Sequence, residues 1–210
     1  MTVLGGLGEV LEHQGIFCSL YTDRGSHFFH TPKAGGAVDK TRLTQFGRAL
    51  AQLGIEHIPS YSPQGRGRME RLFGSWQGRL PAELRIAGVT DMAGANHYIQ
   101  TVFRPWHNQH WTEPARETGT AFVPLGKVDL ESILCVQHER VVAADNTVVV
   151  GQQRLQIQRS ELRCSFAGCT VKVGEHLDGT LSVRHGPHLL GRWTTTGKAL
   201  EKKPKLKQAA

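Results

Sequence analysis

Apolar residues recur at helical spacing from the start of the chain. Val3, Leu4, Leu7, Val10 and Leu11 share one face, and Gly15 ends the run. Gly5, Gly6 and Gly8 give this helix a poor intrinsic propensity. Ile16–Thr22 then predicts a strand running into Asp23, and His30–Val38, with Pro32, Gly35 and Gly36, reads as a loop. Asp39 is placed to cap a second helix with Leu43, Phe46, Leu50 and Leu53 on its face and Gly54 as its stop. Ile55–Ser60 is a short strand. Met69, Leu72, Phe73, Trp76, Leu80 and Leu84 form the stripe of a third helix, with a kink expected at Pro81. A fourth helix from about Thr90 presents Met92, Ala95, Ile99, Val102, Phe103 and Trp106.

From Val128 the period falls to two. ILCVQ, RVVAAD, TVVVGQQ, RLQIQ, CTVKVGE and TLSVRHG read as short strands, with Asp145-Asn146 as a hairpin turn. The pattern predicts an α/β segment over 1–106, a polar linker over 107–127, a small all-β barrel over 128–193 and a basic disordered tail over 194–210.

Composition narrows the setting. A chain of 210 residues makes one ordinary domain or two small ones. It has no apolar run of membrane-spanning length and no basic start followed by an apolar leader. Cys18, Cys135, Cys164 and Cys169 form no C-x-x-C pair, and Cys164 and Cys169 with His176 or His185 fit no standard zinc spacing. Reduced thiols in a cytosolic protein are the expectation. His107 and His110, beside two tryptophans, read as a packed aromatic corner. The net charge of +7 is concentrated at the end, where Lys198, Lys202, Lys203, Lys205 and Lys207 face one acid, Glu201. Such a run attracts phosphate backbones without reading sequence, and equally makes a solubilising end. Arg140, Lys172, Arg184 and Arg192 fall on the strands, where alternation puts polar groups outward in any case.

Two short motifs carry the chemistry. Asp23-Arg24-Gly25-Ser26-His27-Phe28 lies at a strand end. Pro63-Gln64-Gly65-Arg66-Gly67-Arg68-Met69-Glu70 leads into a helix. Each brings one carboxylate to an element end, where a sheet exposes chemistry. Phosphoryl transfer with hard metals uses carboxylates that converge from different elements. The glycines let a nucleic-acid backbone come close, and Arg66, Arg68 and Arg71 are suited to holding phosphates. A first-turn acid is also favoured by the helix dipole alone.

D-x-G-S-x-F followed by P-Q-x-x-G-x-x-E resembles the DDE transposases of the retroviral-integrase superfamily, and among them bacterial insertion-sequence transposases whose core is followed by a small β-barrel. The resemblance covers roughly residues 1–190. It implies an α/β, incomplete RNase-H-like integrase core segment followed by that barrel. It implies Asp23 as the second and Glu70 as the third catalytic and metal-binding acid, with Mg²⁺ or Mn²⁺ as cofactor. DNA is the implied partner, with Arg66, Arg68, Arg71 and the terminal lysines as contacts. A second copy or a full-length transposase is a further partner, and the bacterial cytoplasm, at the nucleoid, is the implied location. In the family the first acid precedes the helix that here occupies the first fifteen residues. The expectation is therefore an N-terminally truncated core that does not act alone. The alternative is a non-catalytic DNA-binding or regulatory remnant working through the barrel and tail.

Overall fold

The computed structural model describes residues 2–33, 35–62, 64–114, 116–159 and 163–200. They form two compact units. One contains the chain up to Leu20, Gly25–His57 and the part from Phe122 onward; the other contains Tyr21–Arg24 and Ile58–Ala121.

In the first unit α1 (Thr2–Gln14) buries Leu4, Leu7 and Leu11 and leaves Val3 and Val10 exposed. Three helical glycines cost about 3 kcal/mol together relative to alanine. Burying three leucines contributes about 5–9 kcal/mol, so packing decides. Gly8 also has a steric reason, whereas Gly5 and Gly6 have room for a side chain. A Cβ on Gly8 would stand 3.1 Å from Leu134 Cδ1, and one on Gly5 3.9 Å from Leu177 Cδ1.

The first strand is shorter than its apolar run. β1 is Ser19–Thr22, and Ile16 instead makes an isolated bridge with Val123. The predicted loop connects the two strands of a hairpin, β2 (Phe29–His30) and β3 (Asp39–Leu43), and β3 takes the place of the expected start of the second helix. This corrects the role of Asp39. Its Oδ1 accepts from the Thr41 N–H, the Thr41 hydroxyl and the Arg42 N–H, which folds a local turn within the strand. Those bonds hold its carboxyl below the usual range. The helix that follows, α2 (Gln45–Gln52), is capped by Thr44, whose hydroxyl accepts from the Gly47 N–H. Leu43 is consequently an exposed strand residue, while Phe46, Leu50 and Leu53 are buried. Gly54 takes φ +71° and ends the helix. β4 (Glu56–Pro59) follows.

After a 3₁₀ turn (Gln64–Arg66), the second unit is helical. α3 (Gly67–Ile86) runs as one helix through Pro81. α4 (Met92–Tyr98), capped by Asp91, passes through a π turn (Ile99–Phe103) into α5 (Arg104–Trp111). Pro105 has no N–H to give and its ring crowds the preceding turn, which accounts for the local widening. The helix thus extends into residues expected as linker. Trp76 meets Phe103 edge-on at 5.1 Å, Trp106 stacks on His110 at 4.8 Å, and Arg79 lies 4.0 Å over Trp106. The histidine pair is an aromatic corner, as its sequence suggests.

In the C-terminal part, α6 (Leu130–Ile133) precedes β5 (Val136–Val141), the hairpin of β6 (Thr147–Val150) and β7 (Gln153–Gln156), and β8 (Thr170–Glu175), β9 (Leu181–His185), β10 (His188–Trp193) and β11 (Ala199–Leu200). The sheet order is β11-β10-β9-β8-β5, each pair antiparallel, with β6-β7 as a separate pair. The described strands do not close into a barrel: β11 and β5 are edges. A common core joins the sheet and the hairpin through Val148, Leu155, Phe166, Val173, Val183 and Trp193. Asn146 occupies the left-handed region at φ 62° in the predicted turn. Residues 194–200, expected as part of a disordered tail, are ordered here, and residues 201–210 lie outside the described residues. The Thr194 N–H donates to the Lys198 carbonyl, closing a turn that carries β11 back onto β10.

The period change at Val128 is not a boundary in this unit. Leu134 shares a core with Leu7, Leu11, Phe46 and Leu50. The Gln45 amide pairs with the backbone of Gln137, donating from Nε2 to its carbonyl at 2.8 Å and accepting its N–H at 2.9 Å. Arg48 Nη2 donates to the carbonyls of Ile133 and Cys135, at 3.1 and 2.6 Å. A guanidinium therefore satisfies carbonyls at the end of α6. Arg48→Ala leaves them short of a donor; hydrogen bonds to a charged group are worth about 1.5–3 kcal/mol each. We expect a loss of about 2–4 kcal/mol in urea unfolding, with Arg48→Lys recovering only part of it.

Candidate functional site

β1 and β4 form a two-stranded sheet. The Glu56 N–H donates to the Cys18 carbonyl and the Ser60 N–H to the Thr22 carbonyl, both at 2.9 Å. Both strands advance in the same direction between those bonds, so the pair is parallel. Parallel strands present their carboxyl ends on one edge. Asp23 follows the end of β1, and the loop Ser60–Ser62 follows the end of β4.

The two motifs meet through their neighbours. Arg24 lies over the Tyr61 ring with its guanidinium carbon 4.9 Å from the centroid. Tyr21 lies against Gly65: a Cβ there would fall 2.6 Å from the phenolic oxygen. Glycine is required at 65 for this close approach, not for an unusual φ. The Ser60 hydroxyl donates to the Ser62 carbonyl, and the Gly65 N–H donates to the Ser62 hydroxyl at 3.3 Å, which shapes the entry to the 3₁₀ turn. The side chains on either side of Asp23 therefore contact the loop that opens the helix of Glu70. Pro63 lies outside the described residues.

Glu70 stands in the first turn of α3 and is exposed, as is Asp23. At 3.6 residues per turn, Arg68 lies roughly 160° around the helix from Glu70 and Arg71 roughly 100°. Arg71 Nε donates to the Gly67 carbonyl at 3.2 Å, tying it to its own helix. Arg66 ends the 3₁₀ turn. Met69, Leu72 and Phe73 continue the apolar stripe onto an exposed surface, and α3 contains no fully buried residue.

Asp23 and Glu70 are hard oxygen donors, the type that suits magnesium or manganese. Among the described residues, however, no group of three or more His, Cys, Asp or Glu side chains could hold a metal ion. Two carboxylates alone are not a complete centre. His176 is buried, within 2.8 Å of the Ser182 hydroxyl, and Cys135 is buried with its thiol pushed up in pKa by that burial.

The candidate phosphate contacts divide. On the C-terminal sheet Arg184 donates to Asp129 at 2.8 Å and Arg192 pairs with both oxygens of Glu131. Arg192 holds the Glu131 carboxyl below its usual range. These arginines fasten α6 to β9 and β10. Lys198 lies in the turn before β11; Lys202, Lys203, Lys205 and Lys207 lie outside the described residues. The strand alternation marked Arg184 and Arg192 as outward, but their acidic partners on α6 come from a distant segment and were not visible in the local pattern.

With this geometry, comparison with known proteins gives a class: the chain is homologous to proteins named transposases. Over 191 residues, 90% of this chain and 41% of the relative, it is 31% identical to the putative transposase y4bF of Sinorhizobium fredii. Over 103 residues, 49% of this chain and 22% of the relative, it is 31% identical to the transposase for insertion sequence IS1202 of Streptococcus pneumoniae. The chain thus spans less than half the length of these relatives. No family model matches it.

The Tyr21–Gly65 contact is directly testable. Gly65→Val must displace the Tyr21 ring. We expect the Tyr21 ring and Asp23 amide resonances to shift in NMR spectra while those of β8 and β9 stay in place. Unmoved Tyr21 signals would show that the ring does not rest on Gly65.

Proposed function

We propose that this chain is part of a DDE-type DNA transposase with an RNase-H-like core, and that Asp23 and Glu70 are two of its phosphoryl-transfer carboxylates. The observation that carries this reading is the pair of contacts Arg24–Tyr61 and Tyr21–Gly65, which draws the loop after β1 onto the loop that opens α3. The names of the relatives support a transposition-related role and a DNA partner. In this role Asp23 and Glu70 offer oxygen ligands to Mg²⁺ or Mn²⁺ beside the phosphate that reacts. A metal-dependent clamp takes more donors than these two, so activity requires a further ligand beyond this pair. Arg71, nearer Glu70 around the helix, would hold a phosphate of the same strand, Arg68 would meet DNA from another direction, and Arg66 is a further candidate contact. The setting is a bacterial cytoplasm; no helix among the described residues is long and apolar enough to cross a membrane. A second reading, DNA binding without catalysis, draws on the lysine-rich end of the sequence.

Mn²⁺ titration tests the carboxylate pair without requiring turnover. Paramagnetic broadening is expected first around Asp23 and Glu70, and is expected to vanish in Asp23→Asn. Broadening that begins elsewhere and ignores both Asp23→Asn and Glu70→Gln would remove the metal role.

Salt dependence tests the terminal lysines. Each phosphate neutralised contributes about 0.9 to the slope of log K against log salt. Replacing Lys202, Lys203, Lys205 and Lys207 with Gln is expected to flatten that slope by about 3–4 on duplex DNA. An unchanged slope would place DNA binding elsewhere.

A further inference from the structure

A concave site of about 180 Å³ lies between the β2–β3 hairpin and α2, all within the first unit. Its walls join the aromatic rings of Phe28, Phe29 and His57 to the aliphatic Leu43, Ala51 and Ile55. Phe29 stacks on His57 with ring centroids 4.0 Å apart, and Phe28 stands edge-on to His57 at 6.0 Å. Burial pushes the His57 pKa down to about 4, so its ring is neutral at physiological pH. The rim is basic. Lys40 and Arg42 both line the mouth and are exposed, carried on the stretch of β3 that bulges away from β2 between Asp39 and Leu43. Asp39 also lies on this rim, with its Oδ1 accepting the three local hydrogen bonds of its own turn.

The floor is Gly47, inside α2. A helix-interior glycine costs about 1 kcal/mol relative to alanine. Packing does not demand it here. An added Cβ would meet Thr44 Oγ1 at 3.5 Å, Leu43 Cδ2 at 3.7 Å and His57 Nδ1 at 3.8 Å, all ordinary contacts. The absent side chain leaves the site deeper than α2 needs it to be.

We propose that this site receives one unpaired nucleobase of a DNA strand, with Lys40 and Arg42 on its flanking phosphates. The inference rests on the DNA-partner reading above. It commits to a nucleic-acid strand, because aromatic rings in the walls under a cationic rim match a base joined to an anionic backbone. An apolar peptide side chain would match the walls and leave the two cations without a complement.

The test measures binding of the full chain to a single-stranded oligonucleotide and to the corresponding duplex at one salt concentration. Three proteins are compared: the natural chain, Gly47→Leu, which fills the floor, and Lys40→Ala/Arg42→Ala, which leaves it open. A 2-aminopurine in the single strand reports stacking. The natural chain is expected to prefer the single strand and to quench the probe. Gly47→Leu is expected to lose about five-fold or more of single-strand affinity, the effect of one stacked base, with duplex affinity unchanged. The double alanine variant is expected to lose single-strand affinity while retaining a folded circular-dichroism spectrum. It carries the test if Gly47→Leu does not fold. Equal single-strand binding by natural and altered chains, with duplex binding intact, overturns the base site and leaves the DNA reading standing. Binding of an aromatic peptide in place of the oligonucleotide overturns the choice of ligand. Absence of binding to either DNA form overturns both readings.

Discussion

The parallel pairing of β1 with β4 is the constraint on which the candidate site depends. Two strands that run the same way deliver their carboxyl ends to one edge. That brings the loop after β1 to the entry of α3. The loops then need only short-range contacts to settle, and Tyr21 on Gly65 and Arg24 on Tyr61 supply them. A glycine at 65 is the condition for the first contact. Arg68 and Arg71 are set on other faces of the helix than Glu70 by its own geometry, so adjacency in sequence does not put them on the acid's face.

The legible features were those encoded locally. The apolar stripes of α1, α2 and α3, the stop at Gly54 and the left-handed turn at Asn146 all follow from neighbours within a few residues. So does the placement of Asp23 after a strand and Glu70 in a first helical turn. The illegible features depend on distant partners. Asp39 is a good cap by type, but Thr41 and Arg42 offer it three donors inside a strand, and Thr44 takes the cap. The start of the β1 run is diverted because Ile16 finds Val123, far along the chain. β10 and β11 were missed because HLLGRW alternates poorly and Ala199–Leu200 becomes a strand only by pairing with Arg192 and Trp193.

The same distinction explains the domain pattern. A shift in hydrophobic period marks a change of secondary structure. It says nothing about which surfaces become core. Here Leu134, at the start of the β-rich region, completes the apolar contact of α1 and α2. Gln45 then copies a β-ladder with its side-chain amide, and Arg48 satisfies carbonyls at the end of α6. Polar groups half-buried at such a junction must find partners, and each of these bonds removes an otherwise costly orphan. The described strands close this region as a sheet with a hairpin packed on it, and α6 is fastened along the sheet by its acids.

That fastening changes the meaning of charge on the C-terminal surface. Counting arginines on β9 and β10 suggests a phosphate-binding face. Asp129 and Glu131 already occupy Arg184 and Arg192, and an anionic backbone would have to displace them. Surface ion pairs are weak, so displacement is possible, but it subtracts from any gain on binding. Lys40 and Arg42 differ, because neither makes an ion pair among the described residues, although the Asp39 carboxylate stays charged on the same rim. On the proposed reading, phosphate recognition is therefore better sought on the hairpin beside α2 and along α3 than on the sheet.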